Sequence, residues 1–298
     1  MKTVLAYLLL LSLGASHVWA QASSWNTTAS RCQILDEPPS PAYTLGLSYI
    51  MNSRFNGYGQ SRIAKIDGSL ELGYFHDVYC GDIDVGLDLD TTLFLGSAQL
   101  QLPDQLVALA VDAGWTWRYI NGSAVQVRVA PGIYSDIEEL ALNSFALPFS
   151  VAGVMTFHPT LSGIAGVQMR PWFERFFMPI IGAVWAPADW LRIEATLPEA
   201  RICYRWDEMW SAHVGWAWES TTYRIREKGS YNRKQITLES YRTAAGVTYS
   251  PRDDRRITGE IGLLSNRSIE FEHAAAGLDS DIDVSDEWFF RVGVVGPF

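Results

Sequence analysis

The chain has 298 residues, 23 of them basic and 33 acidic, giving a net charge of −10 and a mean hydropathy of +0.02. No basic stripe is available to neutralise phosphates, which argues against nucleic acid as a partner. No run of about 18 apolar residues follows the N-terminal region, which argues against helical membrane spans. Twelve Trp, 13 Tyr and 13 Phe are generous for a soluble domain and suit the interfacial girdles of a membrane barrel.

In chain order, Lys2, the apolar run Val4 to Leu13 and the small-residue end Val18-Trp-Ala20 read as a removable signal peptide over 1–20. Residues 21–41, with Pro38, Pro39 and Pro41, read as a flexible periplasmic segment, and 42–298 as one outer-membrane barrel. No long segment has helical periodicity. Alternating runs recur instead, so the fold class expected is all-β, an antiparallel transmembrane β-barrel. The strands predicted are 43–53, 62–78, 81–95, 106–119, 124–136, 147–158, 161–170, 178–187, 190–197, 199–206, 210–226, 235–251, 256–272 and 287–298.

Three strands show the alternation best. Ile83, Val85, Leu87, Leu89, Leu93 and Leu95 share one face of 81–95, and Asp82, Asp84, Asp88 and Asp90 share the other. In 106–119, Val107 to Tyr119 at period two oppose Asp112, Thr116 and Arg118. In 210–226, Trp210, Ala212, Val214, Trp216 and Trp218 oppose Ser211, His213, Gly215 and Glu219. Successive side chains leave a strand on opposite sides, so these faces meet two different solvents.

Connection lengths give a second test, since such barrels have short periplasmic turns, longer external loops and an even strand count. Setting the last strand to run inward makes 251–255, 207–209, 187–189, 158–160, 121–123 and Cys80 periplasmic. Segments 54–61, 96–105, 137–146, 171–177, 227–234 and 273–286 become external. The exception is a tight external turn near Pro198. The count is about fourteen strands, or twelve if 190–206 is one kinked strand. Aromatic side chains sit where a girdle belongs: Trp115, Trp117, Tyr119, Trp185, Trp206, Trp210, Trp288 and Phe298.

The last strand, Glu287 to Phe298, places Trp288, Phe290, Val292, Val294 and the terminal Phe298 on one face. It resembles the C-terminal signal read by the bacterial outer-membrane barrel insertion machinery. Three other stretches, Met178-Pro-Ile-Ile-Gly-Ala-Val-Trp-Ala-Pro-Ala-Asp-Trp190, Leu197-Pro-Glu-Ala-Arg-Ile-Cys-Tyr204, and Gly259-Glu-Ile-Gly262 with Asn266-Arg267, join Asp286 to Gly293 in a wider likeness. Together they resemble an uncharacterised family of Gram-negative outer-membrane β-barrels, a domain of unknown function. The resemblance implies a barrel in the outer membrane, in contact with its lipid and lipopolysaccharide, and carries over no catalytic residue.

The inward face supplies the candidate site. Asp82, Asp84, Asp88, Asp90 and Asp112 are expected to make one wall of the lumen negative, opposite Arg192, Arg201, Arg205, Arg242 and Arg291, with Glu260 interleaved. Unlike charges on facing walls orient polar solutes in a pore. The competing reading is a lumen filled by cross-strand ion pairs that satisfy one another. The leading function is permeation of small polar or charged solutes, and the alternative a closed structural or surface barrel contacting lipopolysaccharide. A lipid-modifying enzyme is the third reading, because Ser211 and His213 share a face, with Glu219 and Glu194 as acids within reach. The sequence contains no Walker loop, G-x-S-x-G elbow, dinucleotide fingerprint or zinc spacing, so neither cofactor nor metal is expected. Same-face carboxylates about 6.5–7 Å apart on a strand fit one calcium poorly. The acidic run Asp279 to Asp286 suits divalent ions shared with lipopolysaccharide phosphates better, although a solvated acidic loop is the favoured reading of it. Cys32 and Cys80 are the pair that an oxidising periplasm would bridge, leaving Cys203 over, but spacing alone leaves three separate thiols open.

Overall fold

The computed structural model describes residues 42–56, 59–78, 81–96, 102–119, 122–138, 144–225, 235–251, 255–272 and 281–297. The strands are β1 (Ala42–Phe55), β2 (Gly59–Val78), β3 (Gly81–Leu95), β4 (Gln105–Arg118), β5 (Ala124–Val129), β6 (Gly132–Ser135), β7 (Phe145–Ala146), β8 (Phe149–His158), β9 (Leu161–Met169), β10 (Phe177–Ala188), β11 (Leu191–Leu197), β12 (Glu199–Arg205), β13 (Trp210–Arg224), β14 (Gln235–Tyr249), β15 (Arg256–Glu272), β16 (Asp281–Val284) and β17 (Glu287–Pro297).

Three staves are broken: β5 continues as β6, β7 as β8, and β16 as β17. Neighbours pair antiparallel in sequence order, and β17 returns to β1 with Ala42 opposite Pro297 and Ile50 opposite Phe289. The result is a closed antiparallel barrel of fourteen staves, which leaves no unpaired edge. The count of twelve is excluded because β11 and β12 pair as separate strands around Pro198, Leu191 opposite Tyr204 and Glu194 opposite Arg201. The segment 273–286 is not all loop: Asp281–Val284 extends the last stave, pairing Ile282 with Ile269. Cys32, Cys80 and Phe298 lie outside the described residues, as do 1–41, and with them the predicted bridge and terminal aromatic.

Burial follows the alternation and inverts the usual order of a globular protein. Leu45, Leu47, Ile181, Ile261, Phe290 and Val292 are 46–57% exposed on the outside, whereas Asp67, Asp90 and Asp112 are no more than 4% exposed inside. An apolar belt of this extent around a closed barrel is what hydrocarbon, and not water, would cover. Near the short turns an aromatic chain runs from Trp190 through Tyr204, Trp206 and Trp210 to Tyr249, with ring separations of 5.7, 6.5, 6.4 and 4.7 Å. Trp185 and Tyr119 are exposed at the same end, Trp115 stacks at a tilt on Trp117, and Trp288 is exposed on the outer face.

Stave height is uneven, and this shapes the lumen. Strands β2, β3, β13, β14 and β15 run 15 to 20 residues, but β9, β11 and β12 only 7 to 9. Above the short staves, walls that are distant around the barrel meet directly: Ser135 of β6 bridges Arg224 of β13, and the Asp136 N–H donates to the Arg224 carbonyl at 3.2 Å. The turn after β9 straps over this junction. Buried Arg170 donates from Nη1 to the Ser220 carbonyl at 2.6 Å, the Glu174 N–H donates to Thr222 Oγ1 at 3.2 Å, and Phe173 packs edge-on against Tyr134.

Candidate functional site: a charged chamber under an apolar cap

Following the hydrogen-bond direction from strand to strand, inward side chains fall into rows of distinct chemistry. One row near the loop end reads Phe94, Ile63, Ile50 and Phe289, ending over Gly262 and Ala244. Phe289 lies across Gly262, where a Cβ would sit 2.5 Å from its ring. With Phe55, Leu106, Tyr223 and Ile236 these residues form one buried apolar cluster, several of them at 0–2% exposure. Inward side chains of an open pore would be wetted. These are packed against each other, so the wall's own side chains narrow the lumen here.

The next row is charged: Thr92, Lys65, Ser48, Arg291, Glu260, Gly246, His213, Cys203 and Arg192. Its ions pair around and across the barrel. Lys65 Nζ reaches Asp90 at 2.9 Å and, on a distant stave, Glu219 at 3.6 Å. Arg242 holds Glu219 at 2.8 Å and Glu260 at 3.7 Å; Arg291 holds Asp67 and lies 3.8 Å from Glu260. Lys65 and Glu219 therefore tie distant walls together, and the chain of pairs continues through Arg242, Glu260, Arg291 and Asp67.

Glycines let some of these pairs form. Asp84, Gly114 and Arg128 are register partners on three consecutive staves, as are His213, Gly246 and Glu260. The outer members join over the bare middle strand: Arg128 binds Asp84 and Asp112, and His213 Nε2 meets Glu260 Oε1 at 2.9 Å. A Cβ on Gly114 would sit 2.5 Å from Asp84 Oδ1, and one on Gly246 2.5 Å from His213 Cε1. Ion pairs two strands apart need such windows, because an ordinary side chain stands perpendicular to the sheet between them.

The sequence-derived candidates thus sit as follows. Asp84, Arg192, Arg201, Arg205, Arg242, Glu260 and Arg291 line a single cavity of about 770 Å3. Asp88 and Asp112 line a small pocket between β2, β3 and β4, and Asp90 is buried beside Lys65. The acids of β3 do not form a bare negative wall: Asp82 pairs with Arg118 at 3.2 Å and Asp90 with Lys65, both from neighbouring strands, and Asp84 with Arg128 two strands away. Nor does Arg242 face them, since Glu219 and Glu260 occupy it. Ser211 and His213 share the inner face, but the acid on the imidazole is Glu260, not Glu219 or Glu194. Among the described residues Ser211 makes no hydrogen bond to His213, and no cluster of His, Cys, Asp and Glu suits a metal ion. Lys65, Asp67, Arg128 and Glu219 were not singled out as a network from sequence, though inward parity marks each of them.

No family model matches the sequence, and no curated protein matches it either. Similar solved structures include an outer membrane channel from Pseudomonas putida F1, 10% identical over 88% of this chain and 97% of that one, TM-score 0.46. A KdgM porin is 10% identical over 85% of this chain and 99% of that one, TM-score 0.36. The toluene transporter TodX of Pseudomonas putida is 10% identical over 96% of each chain, TM-score 0.37. At such scores the barrel assignment stands on the strand register itself, and the family likeness on the quoted motifs alone.

Proposed function

We propose that this protein is an outer-membrane channel for small polar or charged solutes, shut at its loop end in the present state. The observation that carries the reading is the pairing of a chamber of about 770 Å3 with an apolar cluster built largely from inward wall side chains. A volume of that size is typical of ligand-holding clefts. A seal of rotatable aromatic and aliphatic groups opens without unfolding a strand, as hydrophobic gates do. The outer-membrane placement is supported by the apolar outer belt, the aromatic chain near the short turns, and the leader and terminal strand of the sequence.

Planar-bilayer recordings test it. Wild-type protein should be nearly silent, and Phe94→Ala or Phe289→Ala should give discrete conductance steps, with folding checked first by heat-modifiable migration. A folded variant that passes no current at any voltage refutes the channel. That outcome would favour the second reading, a closed barrel acting through its external surface towards lipopolysaccharide, which the mutual neutralisation of the inner charges supports.

A further inference from the structure

We propose that the β11–β12 hairpin forms an anion-binding subsite in the chamber, suited to a small hydroxylated oxyanion such as a sugar acid or sugar phosphate. The inference rests on the channel reading in that it names what the chamber holds. Arg192 on β11 lies directly opposite Cys203 on β12, and Arg201 and Arg205 flank Cys203 on the same inner face, two residues to either side. All four side chains line the cavity. Three guanidiniums therefore surround one thiol.

Their charge is only partly answered. Arg192 gives Glu194 one nitrogen, Nε, at 2.6 Å, and Arg201 gives Glu199 one nitrogen, Nη2, at 3.1 Å. Neither pair is the two-pronged fork an arginine can make with a carboxylate. Among the described residues, Arg192 Nη2 and Arg201 Nε are buried without an acceptor. Unmet buried donors of this kind call for an oxygen from elsewhere. Arg205 has no ion pair among the described residues. In the turn beside it, Asp207 already accepts the N–H groups of Met209 and Trp210 at 2.7 Å each. The other acid facing this region, Glu260, is held by His213, Arg242 and Arg291. Next to the arginines runs a row of hydroxyls, Ser211, Thr248 and Thr258, in register with Arg205. Guanidinium donors beside hydroxyl groups match an oxyanion carried on a hydroxylated carbon frame.

Cys203 is a built-in reporter at the centre of the subsite. In a Cys32→Ser, Cys80→Ser form in detergent micelles, Cys203 is labelled with an anionic sulfonatoethyl and a cationic trimethylammonioethyl methanethiosulfonate, each rate normalised to 2-mercaptoethanol. The anionic reagent should be favoured about tenfold, the local concentration effect of a cationic cleft. Arg201→Gln should abolish most of that preference. Arg205→Gln, which breaks no ion pair among the described residues, should reduce it in a protein that still folds. Glucuronate and glucose 6-phosphate should protect the thiol where glucose does not. Equal normalised rates, a cationic preference, an unreactive thiol, or equal protection by glucose each overturn the subsite. Labelling needs no passage across the membrane. Selective labelling of Cys203 in a protein whose folded Phe94→Ala and Phe289→Ala variants pass no current would therefore refute the channel and keep the subsite, and conduction by those variants without charge preference in labelling would do the reverse.

Discussion

Gly114→Ala isolates the glycine-window idea in one methyl group. The added Cβ would lie 2.5 Å from Asp84 Oδ1 and 2.7 Å from Arg128 Nη2, well inside contact distance, so the pair has to separate. Arg128 is 5% exposed but retains Asp112, so it is not stranded as an unpaired buried charge. The loss is then one hydrogen bond to a charged group, about 1.5–3 kcal/mol. Against it stands the gain of alanine over glycine within a strand, about 0.5–1 kcal/mol. The net destabilisation should be about 1–2 kcal/mol. Gly259→Ala is the matched control, since a Cβ there meets nothing within 4 Å and the change should be neutral or stabilising by up to about 1 kcal/mol. Urea midpoints for folding into lipid vesicles, followed by tryptophan fluorescence, give both values. Equal shifts for the two variants would show that the window is not what holds Arg128 and Asp84 together.

Other perturbations probe the network, the exterior and the strap. Lys65→Met leaves Asp90 buried without its cation and should cost about 3–5 kcal/mol, whereas Lys65→Met with Asp90→Leu should recover most of that in the same urea assay. Val292→Arg places a charge on the lipid-facing side and should cost about 2–4 kcal/mol if that residue lies near the bilayer midplane. Vesicle folding with unchanged yield and midpoint would contradict a lipid-facing β17. Arg170→Met strips a buried donor from the Ser220 and Arg175 carbonyls and should destabilise by about 1–3 kcal/mol. Arg175→Ala removes an ion pair from a half-exposed arginine and should change stability by under about 1 kcal/mol. Thermal melts of both variants would separate a structural Arg170 from a decorative one.

Strands were legible because the signal is local. The pleat sends Asp84, Asp88 and Asp90 one way and Leu87 and Leu89 the other, whatever the rest of the chain does, and β3 spans the residues expected of it. Separation of β11 from β12 was less certain from sequence, since one proline at position 198 fits a turn or a kink. The short strand Asp281–Val284 was missed because its acidic residues read as loop; Ile282 and Val284, buried against Ile269 and Arg267, were the available hint.

The sequence by itself determined which side chains face in and that the outer face is apolar, because a two-residue period is written into each strand separately; it left fourteen or twelve staves open. Closure of the sheet decided the rest. It chose Glu260 for His213 across Gly246, joined Lys65 to Glu219 on a far wall, and stacked Phe94, Ile63, Ile50 and Phe289 into a seal. Which inward residues meet depends on stagger and stave height around the whole ring. That is a property of the closed barrel, and no single strand carries it.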